Sequence, residues 1–109
     1  MVNICYVISG ISKSFSLEWN IKFLNHSAYR LHVILMNNND TEFEQFLRKN
    51  NIPVYRIPCG SKADIIKAVF RIRRYLEREK IQVVHCHLFE ASLAGLLAAR
   101  LAGVKKRIY

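Results

Sequence analysis

A Rossmann-like α/β sandwich is the fold this sequence predicts: three layers around a parallel sheet of about five strands. Three observations carry the prediction. Short apolar runs rich in β-branched residues recur along the 109-residue chain. A stretch with helical spacing follows each of the earlier runs, and the connections are short, which is how strands are laid parallel with helices on both faces. The apolar share, 51%, is too high for a chain that stays unfolded, and the length suits one small domain.

Ile4-Cys5-Tyr6-Val7-Ile8 reads as a first, central strand, ended by Ser9-Gly10. Ser12 to Ser16 form a loop, and Ser16 can cap a helix whose Leu17, Ile21 and Leu24 recur at helical spacing over Ser16–His26. Leu31–Met36 is a second buried strand. Asn37 to Asp40 make a turn, and Thr41 with Glu44 fits a capping box. Phe43, Phe46 and Leu47 give that helix its core face, and Asn50-Asn51 stop it. Ile52–Ile57 is a shorter strand, and Pro53 near its start predicts an edge position. After the Pro58-Cys59-Gly60 turn, Ser61 and Asp64 make a second capping box. Ile65, Val69, Ile72 and Leu76 line one face of a long helix that ends near Lys80.

The stretch Ile81–Gly103, IQVVHCHLFEASLAGLLAARLAG, holds the chemistry. It opens with a β-branched strand, Ile81 to Val84. It closes with Leu93–Ala102, apolar or small almost all round with Arg100 as the single charge, which predicts a helix buried on most of its surface and too short to cross a bilayer. Gly103 fits a C-cap, and Val104–Tyr109 begins another strand. A doubly wound domain continues beyond such a point, so the expectation is a truncated domain within a longer protein.

His85, Cys86, His87 and Glu90 fall between that strand and helix, where open parallel sheets place their ligand sites. Residues two apart share a strand face, so His85 and His87 point one way and Cys86 the other. His87, nearer the strand's end, is expected to reach the cleft, and His85 to be packed and hydrogen-bonded. Glu90 at the helix start complements the helix dipole or touches substrate. Two histidines and a carboxylate could ligate zinc, but no further ligand or supporting set is visible, and no metal is expected.

Other chemistry is excluded by motif. Ser9-Gly10-Ile11-Ser12-Lys13-Ser14 has one glycine and lacks the dinucleotide fingerprint, and no P-loop occurs. A glycine followed by small polar residues ahead of a helix N-terminus can still receive a phosphate or sugar hydroxyl. Cys5, Cys59 and Cys86 have no metal spacing; Cys5 and Cys86 sit in apolar runs as small core residues of a reducing compartment. No signal-peptide pattern opens the chain.

The formal charge is +9, which calls for an acidic partner. Lys67, Arg71, Arg74 and Arg78 recur at i, i+4, i+7 and i+11 and make a basic stripe about a quarter turn from the apolar helix face. Arg73 and Lys80 add to it; Asp64, Glu77 and Glu79 offset it. The stripe is either a solvated face with helical ion pairs or a docking surface for an anionic membrane. The basic residues do not interleave with exposed aromatics and match no recognition motif, so no nucleic acid is expected.

Three segments give the chain a family likeness: the strand ICYVISG followed by a helix and LHVILMN; the stretch NNIPVYRIP; and IQVVHCHLFEASLAGLLAARLAGVKKRIY, an H-x-H strand, an alanine-rich helix and a strand. Together they resemble the N-terminal domain of glycosyltransferase family 4, retaining enzymes of the GT-B fold. The resemblance implies a partial N-terminal domain over residues 1–109, on the acceptor side of a cleft, with the donor-binding domain absent from these residues. It implies a nucleotide-sugar as co-substrate, a glycan or lipid-linked acceptor, no metal, and a cytoplasmic enzyme, peripheral on the membrane's inner face. His87 matches the family histidine at the reaction centre, and Gly10, Ile11, Ser12 and Lys13 match the turn facing the same cleft. Here Gly10 stands alone where many members have two adjacent glycines. The alternative is a small non-catalytic α/β binding or regulatory module of flavodoxin-like shape.

Overall fold

The computed structural model describes residues 2–9, 15–24, 26–37, 40–58, 62–87, 89–104 and 106–108, with the backbone alone at 9, 15–17, 62, 89–93, 96 and 106–108. Among the described residues five strands and four helices alternate: β1 (Val2–Ser9), α1 (Phe15–Phe23), β2 (Tyr29–Met36), α2 (Glu42–Lys49), β3 (Val54–Arg56), α3 (Lys62–Arg78), β4 (Val83–His87), α4 (Phe89–Ala102) and β5 (Lys106–Ile108). The strands form one parallel sheet in the order β3-β2-β1-β4-β5. β1 is central and β3 lies at an edge, as the apolar run and Pro53 predict.

The two periodicities of the sequence divide the core between the faces of this sheet. Cys5, Val7, Ile34, Met36, Val84 and Cys86 turn toward α3 and α4, meeting Val69, Ile72, Leu76, Ala94 and Ala98. Tyr6, Ile8, Leu31, Val33 and Leu35 turn the other way, onto Ile21 of α1 and Phe43 and Leu47 of α2. The molecule is therefore a Rossmann-like, three-layer sandwich.

Three of the helices end in the same device. Asn51, Lys80 and Gly103 take left-handed backbone conformations, with φ of 59°, 52° and 80°. At each, a 6→1 bond closes the helix end: Ile52 N–H to Leu47 O (3.0 Å), Ile81 N–H to Leu76 O (3.0 Å) and Val104 N–H to Ala99 O (2.9 Å). These are Schellman ends, and the buried Ile52, Ile81 and Val104 that follow anchor the turn and send the chain back toward the sheet.

Several elements differ from the sequence expectation. β3 is shorter than Ile52–Ile57, although Val33 N–H to Pro53 O (3.0 Å) and Ile57 N–H to Leu35 O (2.8 Å) extend its pairing at both ends. β4 begins at Val83 and runs through His87, so both histidines are strand residues. At Thr41 only half of the capping box forms: its hydroxyl accepts from Glu44 N–H at 3.2 Å, but the Glu44 carboxylate is buried and paired with Arg48 (3.0 Å) and Arg56 (3.6 Å). Two guanidiniums compensate a carboxylate out of water better than one peptide N–H does. The second box falls on Ser61, outside the described residues.

α4 is the largest departure. Ala94, Ala98 and Ala99 are fully buried and Ala102 partly so, whereas Leu97 and Leu101 are 48% and 45% exposed. The helix lies so close to the sheet that a Cβ on Gly95 would stand 2.6 Å from Cys86 Sγ and 3.3 Å from Val7 Cβ. At that distance only small side chains fit inward, and these leucines turn outward.

Candidate functional site

β1 runs between β2 and β4, and the chain leaves β1 toward one side of the sheet and β4 toward the other. The crevice beyond the carboxyl ends of such a pair is the switch point where open parallel sheets bind ligands. Ile8 of β1 is in register with His87 of β4, so His87 stands at that end of the strand pair. α4 starts two residues later, at Phe89, with Glu90 in its first turn.

Strand alternation places Tyr6, His85 and His87 on one face, and the structure brings them together. The imidazole centroids are 4.1 Å apart, and the Tyr6 ring lies 5.2 Å from each. The Tyr6 hydroxyl donates to Asn20 Oδ1 of α1 at 2.8 Å, which fixes the phenol against the histidines. His85 and His87 are half-buried on this face, while Val84 and Cys86 on the other are buried completely or nearly so.

Burial, and then the neighbouring His85, pushes the His87 pKa down to about 4, so its imidazole is neutral at neutral pH. Burial lowers His85 as well. His87 Nε2 is buried and has no hydrogen-bond partner among the described residues. A buried polar atom left in this state costs stability, and a ligand can satisfy it. The arrangement is chemically that of a neutral imidazole at the carboxyl end of the β1–β4 pair, able to donate or accept one hydrogen bond.

The expected positions fare differently. His87 lies at the strand end as predicted. His85 is packed as predicted, but its described partners are the rings of Tyr6 and His87, with no hydrogen bond among the described residues. Gly10, Ile11, Ser12 and Lys13 lie outside the described residues, and of Glu90 the backbone alone is described. Cys86 is a core thiol whose pKa burial raises to about 12, so it is no nucleophile. Among the described residues no group of three or more His, Cys, Asp or Glu could hold a metal ion. Tyr6 and Asn20 were missed; the signal for Tyr6 was a hydroxyl-bearing ring at an alternate position of the central strand.

On α3, Val69, Ile72 and Leu76 are buried as the spacing predicts, and Lys67, Arg71, Arg74 and Arg78 are exposed. The stripe does have aromatic neighbours: Phe70 is exposed, and Tyr55 of β3 joins it from the sheet edge. No helix among the described residues is long and apolar enough to cross a membrane.

A doubly wound parallel sheet with imidazoles at its switch point defines a Rossmann-like domain with a candidate ligand site at its strand ends. The chain belongs to the glycosyl transferase 4-like family, whose model matches residues 3–109. It is similar in fold to MurG of Acinetobacter baumannii, with TM-score 0.78 and 22% identity over 99% of this chain and 35% of that one. A lipopolysaccharide outer core galactosyltransferase, WaaB, gives TM-score 0.76 and 18% identity over 98% of this chain and 32% of its own. The UDP-GlcNAc 2-epimerase of Methanocaldococcus jannaschii gives 0.71 and 22%, over 96% and 30%. The chain thus spans about a third of the length of these proteins. No curated protein matches it significantly.

Proposed function

We propose that the chain is the N-terminal, acceptor-side part of a retaining glycosyltransferase, which moves a sugar from a nucleotide-sugar to a glycan or lipid-linked acceptor. In this reading a second, donor-binding domain closes the other side of the crevice. The observation that carries it is His87: a neutral imidazole with a buried, unsatisfied Nε2 at the switch point of a glycosyl transferase 4-like domain. Glycosyl transfer builds positive charge on the sugar and negative charge on the departing phosphate. A fixed hydrogen-bonding group held in a part-buried crevice acts on that charge without having to reorganise. His87 orients the sugar in this way, and Gly10 to Lys13 with Glu90 bind acceptor or phosphate around it. The parent works on the cytoplasmic side, with the basic stripe of α3 facing an anionic membrane.

The test is His87→Ala in the full-length parent, assayed for sugar transfer from a panel of nucleotide-sugars. The expected outcome is a fall in kcat/KM of about 10²–10⁴ with the fold retained. Wild-type kcat/KM in the variant would remove His87 from the mechanism. Epimerised donor without any transferred sugar, in the unsubstituted parent, would replace the transferase reading itself.

A further inference from the structure

The outer side of α3 carries a second candidate site, which shares no residue with the Tyr6–His85–His87 cluster. A groove of about 460 Å³ is lined by Tyr55, Phe70, Arg71, Arg74, Tyr75 and Arg78. Its floor is rigid. The Tyr55 and Tyr75 rings stack at 5.5 Å and 29°, and the Tyr75 hydroxyl shares a 2.9 Å hydrogen bond with Nδ1 of buried His32. The Arg78 guanidinium lies 5.3 Å from the Tyr75 ring centroid, a cation–π contact that holds its side chain over the floor.

The charges here are unbalanced. Arg48 and Arg56 share Glu44, and Arg73 is paired with Glu77 at 3.0 Å. Arg78 reaches Glu79 only at 4.0 Å. Among the described residues Arg71 and Arg74 have no carboxylate partner, and none of those lining the groove is a carboxylate. Asp64 borders the smaller depression next to it, where Lys67 and Arg71 also stand. Like charges three and four residues apart on a helix repel, so this cluster costs stability until an anion joins it.

We propose that this groove binds a phosphate group, gripped by Arg71 and Arg74, with Tyr55, Tyr75 and Phe70 walling the rest of the ligand. A guanidinium presents a planar fork of N–H donors that matches phosphate oxygens two at a time, which a lysine ammonium cannot do. Two sources can supply that group: the headgroup of a membrane lipid, or a dissolved phosphate compound. Ile66 and Phe70, one helical turn apart and 63% and 58% exposed, lie on the same outward side and give a lipid surface something apolar to meet. The proposal sharpens the membrane-facing stripe into a defined site and is independent of His87.

The experiment measures binding of the chain to phosphatidylcholine vesicles with and without phosphatidic acid, and separately to dissolved pyrophosphate. Each is repeated with the double variant Arg71→Lys/Arg74→Lys, with Arg71→Gln/Arg74→Gln, and with Lys22→Gln on α1, across the sheet. Arg71, Arg74 and Lys22 are exposed, so these changes leave the fold in place. The expected result is binding in at least one arm that the lysine pair weakens about tenfold although charge is unchanged, while Lys22→Gln alters it less than about twofold. Binding in the vesicle arm alone assigns the phosphate to lipid, and binding of pyrophosphate assigns it to a soluble ligand. Vesicle binding that survives the lysine pair but not the glutamine pair would overturn the groove and keep the diffuse stripe. No binding in either arm would overturn both.

Discussion

The two faces of β4 live under different rules. Toward α3 and α4, Val84 and Cys86 are sealed under a helix brought so close that residue 95 has no room for a side chain. Toward α1, Val83, His85 and His87 are only half covered. One strand thus pairs a dry, close-packed side with a side where two part-exposed imidazoles rest against the buried Tyr6 ring of β1. Alternation along the strand is what permits this, because a one-residue shift in register would bury the histidines and expose the thiol. Close packing excludes chemistry on the first side; incomplete covering makes it available on the second.

The comparison breaks most sharply on the packed side. Gly95→Ala puts a methyl group 2.6 Å from Cys86 Sγ, and Val7 at 3.3 Å blocks retreat. The expected loss is about 3 kcal/mol of stability, measured by urea unfolding. Removing the obstructing atom in Gly95→Ala/Cys86→Ala should return part of it, so the double variant is more stable than the sum of the two single changes predicts. Simple additivity would show that Sγ is not what keeps α4 out.

The open side is tested by pH. The His87 pKa falls from its ordinary 6.5 to about 4 on folding. Above pH 6.5 both folded and unfolded histidine are neutral, and the contribution is fully present. As pH drops toward 4 the unfolded chain takes up a proton that the folded chain refuses, so stability declines through that window. His85 and buried His32 shift the same way and add to the slope. The loss due to His87 is on the order of 1–2 kcal/mol after allowance for its partial exposure. Denaturation followed from pH 7 to 4 should show a shallower decline in His87→Ala than in the parent chain. An unchanged slope would mean that the imidazole is solvated.

The smallest effect touches neither face. Lys80 closes α3 with a left-handed backbone, φ 52°, that glycine adopts without strain. Lys80→Gly should raise stability by about 0.5–1 kcal/mol, read as a higher Tm, and leave the acid decline unchanged. A lower Tm would show that the side chain contributes more than the backbone strain costs.

The order of strands and helices, the central place of β1, the edge place of β3 and the shared face of His85 and His87 were all determined by the sequence. Periods of two and of 3.6 residues are local properties, as are proline's missing donor and the family pattern around H-x-H. Contacts between residues far apart in the chain belonged to the tertiary structure alone. Local pattern paired Glu44 with the Thr41 cap, but Arg56, arriving on β3, drew its carboxylate inward. An apolar helix looked buried all round, but the sheet approached α4 so closely that Ala94, Ala98 and Ala99 took the inside and Leu97 and Leu101 the outside. The helix spacing marked Arg71, Arg74 and Arg78 as a stripe, and only the packing of β3 beside α3 added Tyr55 and made a groove of it. The His87 environment is of the same kind, since Tyr6, whose ring lies against it, and Asn20, which accepts from the Tyr6 hydroxyl, are more than sixty residues away along the chain. Burial and charge compensation are sums over neighbours in space, and a linear pattern specifies only neighbours in sequence.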